Sequence, residues 1–149
     1  MADSIKIPAQ YDDMFKDLCT ERKNRKVFET HKDLLLFAAA VGVNKSKKIE
    51  LMKSSNVEPV KISVFRGEFD IDFINLITLY ETNNPLLLDS LHQDDRHKLF
   101  EEYANGGLEL IFNLVYNKPG DWEDHFIDLI VSLNKESTNP LDDITNAWN

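Results

Sequence analysis

Four histidines, one cysteine and a short acidic run are the chemically richest residues of this sequence, and their spacing decides against most of the chemistry they could do. His31, His92, His97 and His125 form no HxxxH or HExxH pair, the spacings that set two imidazoles on one helix face for zinc. A zinc site built locally is therefore not expected, while one assembled over long range is left open. Cys19 is the only cysteine; it cannot form an intramolecular disulfide, and its place within an apolar helical pattern makes it a small core hydrophobe rather than a nucleophile. In GEFDID, Glu68, Asp70 and Asp72 alternate and could gather around a divalent ion, but Asp70 is better placed as a helix cap. The chain has no GxxxxGK[ST] loop, no GxGxxG and no GxSxG elbow, the usual markers of nucleotide and serine-nucleophile chemistry. No catalytic, cofactor-binding or metal-binding residue is assigned, no cofactor is expected, and the chain reads as a non-enzyme.

Positive charge gathers in two places. Arg22, Lys23, Arg25 and Lys26 form one cluster and Lys45, Lys47 and Lys48 the other. Both lie at the ends of apolar helical patterns, where phosphate contacts are made in nucleic-acid binders. The competing reading is a pair of solvated loops, and no aromatic residue interleaves with the lysines as single-strand stacking requires. The whole chain carries 26 acidic against 17 basic residues, a formal charge of −9, which opposes attraction to nucleic acid or anionic membrane. Plain duplex DNA is expected to bind at most weakly, and a membrane not at all.

Helices must position these residues. Pro8 followed by Tyr11, Met14, Phe15 and Leu18 has the spacing of a first helix with proline near its start. Thr30 with Asp33 three residues on is a capping-box variant that opens LLLFAAAV, apolar on every side and expected to be buried all round, with Gly42 as its stop. Val60, Ile62 and Val64 alternate as in a half-buried strand, with residues 48–52 as its hairpin partner. Asp70 starts a helix in which Phe73, Ile74, Ile77 and Tyr80 share a face, ended by Asn83 and Asn84 before Pro85. A long helix runs from Gln93 or Asp94 to about Tyr116, and Asp121 caps a last one with Trp122, Phe126, Leu129, Ile130 and Leu133 in one stripe.

The expected fold is mainly α: a compact single-domain bundle of about five helices over residues 1–134, with a short β-hairpin between the second and third, and a polar C-terminal extension over residues 135–149. The N-terminal MADSIKIPAQ lacks an apolar signal core and the longest apolar run, residues 34–43, is too short to span a bilayer. A reducing cytoplasm is the expected location.

The stretch FEEYANGGLELIF sets Gly106 and Gly107 inside the long helix, where each glycine costs about 1 kcal/mol relative to alanine. On a helical wheel Leu99, Phe100, Tyr103, Ala104, Leu110, Ile111, Leu114 and Val115 keep one phase across the pair, with Gly107 at the centre of the apolar arc and Gly106 at its edge. A continuous helix approached closely by Ala38, Ala39 and Ala40 accounts for this; a C-cap at Asn105 and Gly106 is the alternative. In the continuous helix Gly106→Ala is expected to be neutral or stabilising and Gly107→Leu damaging. The opposite arc, Glu101, Glu102, Asn105 and Glu109 interrupted by Phe112, is expected to be a solvated acidic face and a candidate partner surface. Whether the small-residue seam faces a second copy of the chain is left open, so a homo-oligomer is neither required nor excluded.

Three stretches, VFETHKDLLLFAAAVGVNKSKK (residues 27–48), ISVFRGEFDIDFINLITLYETNNPLLL (62–88) and LFEEYANGGLELI (99–111), resemble the small accessory proteins encoded beside bacterial DNA phosphorothioation and related DNA modification and restriction systems. The resemblance covers residues 27–115, leaving the first helix and the tail outside it. It implies a place in anti-phage defence or DNA modification and no particular activity or catalytic residue. A non-enzymatic adaptor that docks onto larger subunits of a modification or restriction complex is the leading expectation. A DNA-binding or DNA-sensing module using the basic loops at residues 22–26 and 45–48 is the alternative.

Overall fold

Thr30 opens the central helix as its sequence predicts: its hydroxyl accepts a hydrogen bond from the Asp33 N–H at 3.2 Å, satisfying one of the donors that a helix start leaves unpaired. The computed structural model describes residues 4–20, 26–51 and 59–136. Among them are five helices, α1 (Asp12–Leu18), α2 (His31–Asn44), α3 (Glu68–Thr82), α4 (Gln93–Ile111) and α5 (Trp122–Glu136), and two short strands, β1 (Ser4–Ile5) and β2 (Val60–Lys61). The result is the expected mainly helical bundle with a small antiparallel sheet. No helix among the described residues is long and apolar enough to cross a membrane. The 135–149 extension begins within the last turn of α5, and residues 137–149 lie outside the described residues.

The centre is the packing of α2 against α4. Ala38 faces Gly107 and Gly42 faces Tyr103, so the helices run antiparallel with contacts four residues apart on each, the spacing of i±4 ridges. A Cβ on Gly107 would lie 1.6 Å from the Ala38 carbonyl oxygen, and one on Gly42 2.1 Å from that of Tyr103. The Cα–H bonds these atoms would replace point at the facing carbonyls, an arrangement found where two helix backbones approach closely. The helix is continuous through the glycine pair and passes into a π-helical turn, Phe112–Tyr116, in which the Asn117 N–H donates to the Phe112 carbonyl at 2.9 Å.

Two of the glycine expectations need correction. Gly42 does not stop α2; it is buried two residues before the end, and Ser46 takes the left-handed conformation (φ 53°) that closes the helix. The Lys47 N–H donates to the Gly42 carbonyl at 2.8 Å and the Ser46 N–H to that of Val43 at 3.1 Å, a Schellman motif with serine instead of glycine at its left-handed position. Gly106 is not a tolerant edge position either. This turn folds the chain back over α4, and a Cβ on Gly106 would lie 2.0 Å from the Lys47 carbonyl oxygen.

The strand at Val60 exists, but it pairs with β1 and not with the expected residues 48–51; residue 52 of that expected partner lies outside the described residues. Ser4 pairs with Lys61 and Ile5 with Val60, antiparallel, and the chain then turns into a 3-10 helix, Ile62–Val64. Ile5 and Ile7 alternate into the core, each at most 1% exposed, a period-two signal too short to stand out. Residues 48–51 instead follow α4: the Ile49 N–H donates to the Glu102 carbonyl at 3.0 Å, and the Asn105 amide donates back to the Ile49 carbonyl at 3.2 Å.

Aromatic rings fasten the outer elements. Phe28, Phe37 and Phe126 join α5 to α2 with centroids 5.6 to 5.8 Å apart. Tyr11, Phe112, Tyr116 and Trp122 run from the start of α1 across the π turn to α5. Phe65, Phe100 and Phe73 tie α3 to α4. Asp70 is the third residue of α3 rather than its cap; Gly67 holds the cap position, and the buried Asp70 carboxylate accepts from Lys32 of α2 at 2.9 Å.

Glycine-to-alanine changes inside a helix ordinarily stabilise, but here the obstructing atoms are backbone carbonyls that cannot rotate away. Gly42→Ala, Gly106→Ala and Gly107→Ala are each expected to lower the stability measured by urea denaturation by about 1–3 kcal/mol, with Gly107→Ala the most damaging. A gain for Gly106→Ala would mean that α4 and the turn over it separate without cost.

Candidate functional site

The Schellman turn at the end of α2 carries Lys45, Lys47 and Lys48 across the middle of α4, within reach of acids from two helices. Lys47 Nζ donates to Glu109 Oε1 at 2.7 Å and Lys48 Nζ to Glu81 Oε1 at 2.5 Å. The Lys48 ammonium also sits 5.8 Å from the centroid of the Tyr103 ring, at cation–π distance. The Tyr103 hydroxyl donates to the other oxygen of Glu81, so one carboxylate of α3 binds the basic turn and α4 together. Lys45 is half-buried. Lys47 and Lys48 of this candidate phosphate-binding cluster are thus paired within the fold. Of the other cluster, Lys26 is exposed, and Arg22, Lys23 and Arg25 lie outside the described residues.

The acidic arc of α4 is less open than its wheel implies. Asn105 is buried, at 2% exposure, and its amide donates to the Ile49 carbonyl of the segment that follows the turn. Glu101 accepts from the Lys6 N–H at 2.8 Å beside β1, and burial pushes its carboxyl above the ordinary value while that hydrogen bond opposes the shift. Glu109 pairs with Lys47, Glu102 is half-covered, and Phe112 packs on Tyr11 and Tyr116. Of the candidate partner surface, Asn105 does not reach solvent and the other four are partly covered.

The remaining chemical groups are dispersed. His31 stands edge-on to Phe15 at 5.3 Å with its pKa lowered by burial, His92 bonds Asp89 at 2.6 Å, His97 is buried in α4, and His125 meets the Pro119 carbonyl at 2.8 Å. Among the described residues no group of three His, Cys, Asp or Glu is placed to hold a metal ion. The Cys19 thiol contacts the Thr30 carbonyl at 3.7 Å, and burial, then Asp33, pushes its pKa up to about 11. A thiol in that state is a poor nucleophile.

What the sequence reading missed is apolar. Tyr80 does not share the buried face of α3: the buried side chains are Asp70, Ile74, Ile77 and Thr78, while Phe69, Leu76 and Tyr80 are 73%, 60% and 62% exposed. Nor is α2 buried all round; Leu36 and Phe37 are half-covered and Ala40 is exposed. A groove of ≈ 320 Å³ lies between these two surfaces, lined by Ala40, Val43, Asn44, Phe73, Leu76, Ile77 and Tyr80. The spacing of residues 69, 73, 76 and 80 was the available signal, a heptad-like stripe beside the core arc rather than within it.

Lys48, then Tyr103, hold the Glu81 carboxyl below its ordinary value of 4.5. A lowered folded-state pKa stabilises the fold above the unfolded value, and the contribution disappears as pH falls through the folded one. Glu81→Gln is expected to cost about 0.2–1 kcal/mol at neutral pH, since the group is partly exposed and screened. Denaturation curves of the variant and parent should converge as the pH is lowered below 4.5; a constant gap would show that Glu81 acts through packing alone.

No curated protein and no solved structure matches this chain. One family model, described as DNA sulphur modification system-associated protein 4, matches residues 4–146. That span corrects the narrower extent of the resemblance read from residues 27–115: the first helix and most of the C-terminal extension are part of the family's pattern. With 143 of the 149 residues inside one match, the chain belongs to the family of DNA sulphur modification system-associated protein 4.

Proposed function

We propose that this protein is a non-enzymatic accessory of a DNA modification or restriction system, acting by docking onto larger subunits of that system. The family match over residues 4–146 is the observation that carries the reading. The apolar groove and the pairing of Lys47 and Lys48 with Glu109 and Glu81 support contact with protein over contact with DNA. Co-expression of a tagged chain with the larger subunits of a DNA sulphur modification or restriction system from the same source tests the proposal. A complex that survives affinity purification and size exclusion under mild conditions is the expected outcome; a chain that elutes alone in every combination overturns it.

The DNA-binding alternative makes the opposite demand on the lysines. At physiological salt the Debye length is about 8 Å, so a basic cluster can attract phosphate on a negative molecule only where its charges are not already paired. Breaking the Lys47 and Lys48 pairs to reach phosphate would leave Glu81 and Glu109 beside the DNA backbone. The isolated protein is expected to bind plain duplex DNA no more tightly than about micromolar at about 0.15 M salt. Nanomolar binding in an anisotropy titration, abolished by changing Lys45, Lys47 and Lys48 to Glu, would replace the docking reading with a DNA-binding one.

A further inference from the structure

The face shared by α2 and α3 has the form of a helix-binding groove. On α3, Phe69, Phe73, Leu76 and Tyr80 recur at intervals of four, three and four residues, the seam spacing of a coiled coil. At 1.5 Å rise per residue the stripe is roughly 17 Å long, about three turns of an apposed helix. Phe69 stacks on Phe73 with an interplanar angle of 14°, which stiffens one end. Ala40 and Val43 of α2 form the opposite wall, and the small side chain of Ala40 leaves room for another helix to approach. The 34–41 run of α2 is apolar on every side, yet the fold leaves the part beside this groove uncovered.

Charge selects the occupant. Glu68 and Asp72 stand on the solvent side of the stripe, both exposed and in no ion pair among the described residues. Lys32, the one lysine within α2, is held by Asp70 within the fold. A second copy of the chain would bring the same acidic rim and the same net charge of −9 against it, and like charges across an interface are repulsive. We infer that the groove between α2 and α3 takes an amphipathic helix of a partner protein, with apolar residues at heptad spacing and flanking lysine or arginine residues that face Glu68 and Asp72. This rests on the docking function proposed above and names the chemistry of the docked segment.

Two synthetic helical peptides test it by fluorescence anisotropy, both with leucine at heptad a and d positions, one with lysine and the other with glutamate at e and g. The lysine peptide is expected to bind, and the glutamate peptide to bind at least about tenfold more weakly. Phe69→Gln and Leu76→Gln change exposed side chains, so their melting temperatures should match the parent; each is expected to weaken the lysine peptide by about tenfold or more. Glu68→Lys with Asp72→Lys should reverse the preference between peptides. Equal binding of both peptides, or binding indifferent to Leu76→Gln, overturns the inference. So does a parent dimer in sedimentation that dissociates on Leu76→Gln, which would give the groove to a second copy. In the co-expression experiment, a Phe69→Gln, Leu76→Gln variant that still co-purifies with the larger subunits removes the groove while leaving the docking function in place. Failure of the parent itself to co-purify removes the docking function instead.

Discussion

The backbone-to-backbone approach of α2 and α4 is the constraint on which the rest of this structure depends. Three glycines make it, Gly42 from one helix and Gly106 and Gly107 from the other, each aimed at a carbonyl oxygen of the opposing segment. Ordinary helix packing interposes side chains and tolerates small shifts; here the facing atoms are main chain, so register and distance are fixed together. Because Gly42 must face Tyr103, the close of α2 falls over the middle of α4, and the Schellman turn lays residues 47–49 against Glu102, Asn105 and Gly106. The lysines of that turn then have Glu81 and Glu109 within reach, and the Tyr103 hydroxyl completes the link to α3.

The parts legible from sequence were those in which a residue acts on its neighbours. Thr30 caps within three residues, Asn84 bonds the Leu86 N–H, Asp121 bonds that of Glu123, and the α1 stripe buries Tyr11, Met14, Phe15 and Leu18. The opposition of Gly107 to Ala38 was also legible, because two small-residue clusters on two apolar arcs have little else to meet. What failed depended on residues distant in sequence. Gly42 after an apolar run carries the usual signal of a helix end, and only the unseen Tyr103 carbonyl makes it an interior packing position. Gly106 looked tolerant because a wheel describes one helix and not the turn folded over it. Ser4 and Ile5 lie more than 50 residues from their strand partners, a separation that local periodicity does not encode.

The candidate site follows the same division. Lys45, Lys47 and Lys48 were identifiable as a cluster, but the sign of their contribution was not, since it is set by acids 33 and 62 residues away. Asn105 looked like part of a polar surface and is a buried clamp. The α3 stripe was hidden for a different reason: Phe73 and Tyr80 lie at the margin of the same apolar arc as Ile74 and Ile77, and hydrophobic patterning alone assigns all four to the core. Two adjacent apolar faces on one helix, one inward and one outward, read as one broad face until the neighbours are placed.

The ion pairs and the groove are coupled through α3. Glu81 follows Tyr80 directly, so the carboxylate that neutralises Lys48 also fixes the end of the helix whose outer stripe lines the groove. Lys48 is bound there and Lys32 is bound to Asp70 at the other end of α3, so both of these bases are committed to folding. Glu68 and Asp72 then set the local field at the rim without compensation from these bases. An apolar groove alone discriminates poorly among amphipathic helices, whereas an acidic border adds repulsion against helices carrying acidic flanks. The Lys48–Glu81 pair that weakens the case for DNA binding therefore also strengthens the case for a basic protein helix, and it follows from where the α2–α4 seam sets the basic turn.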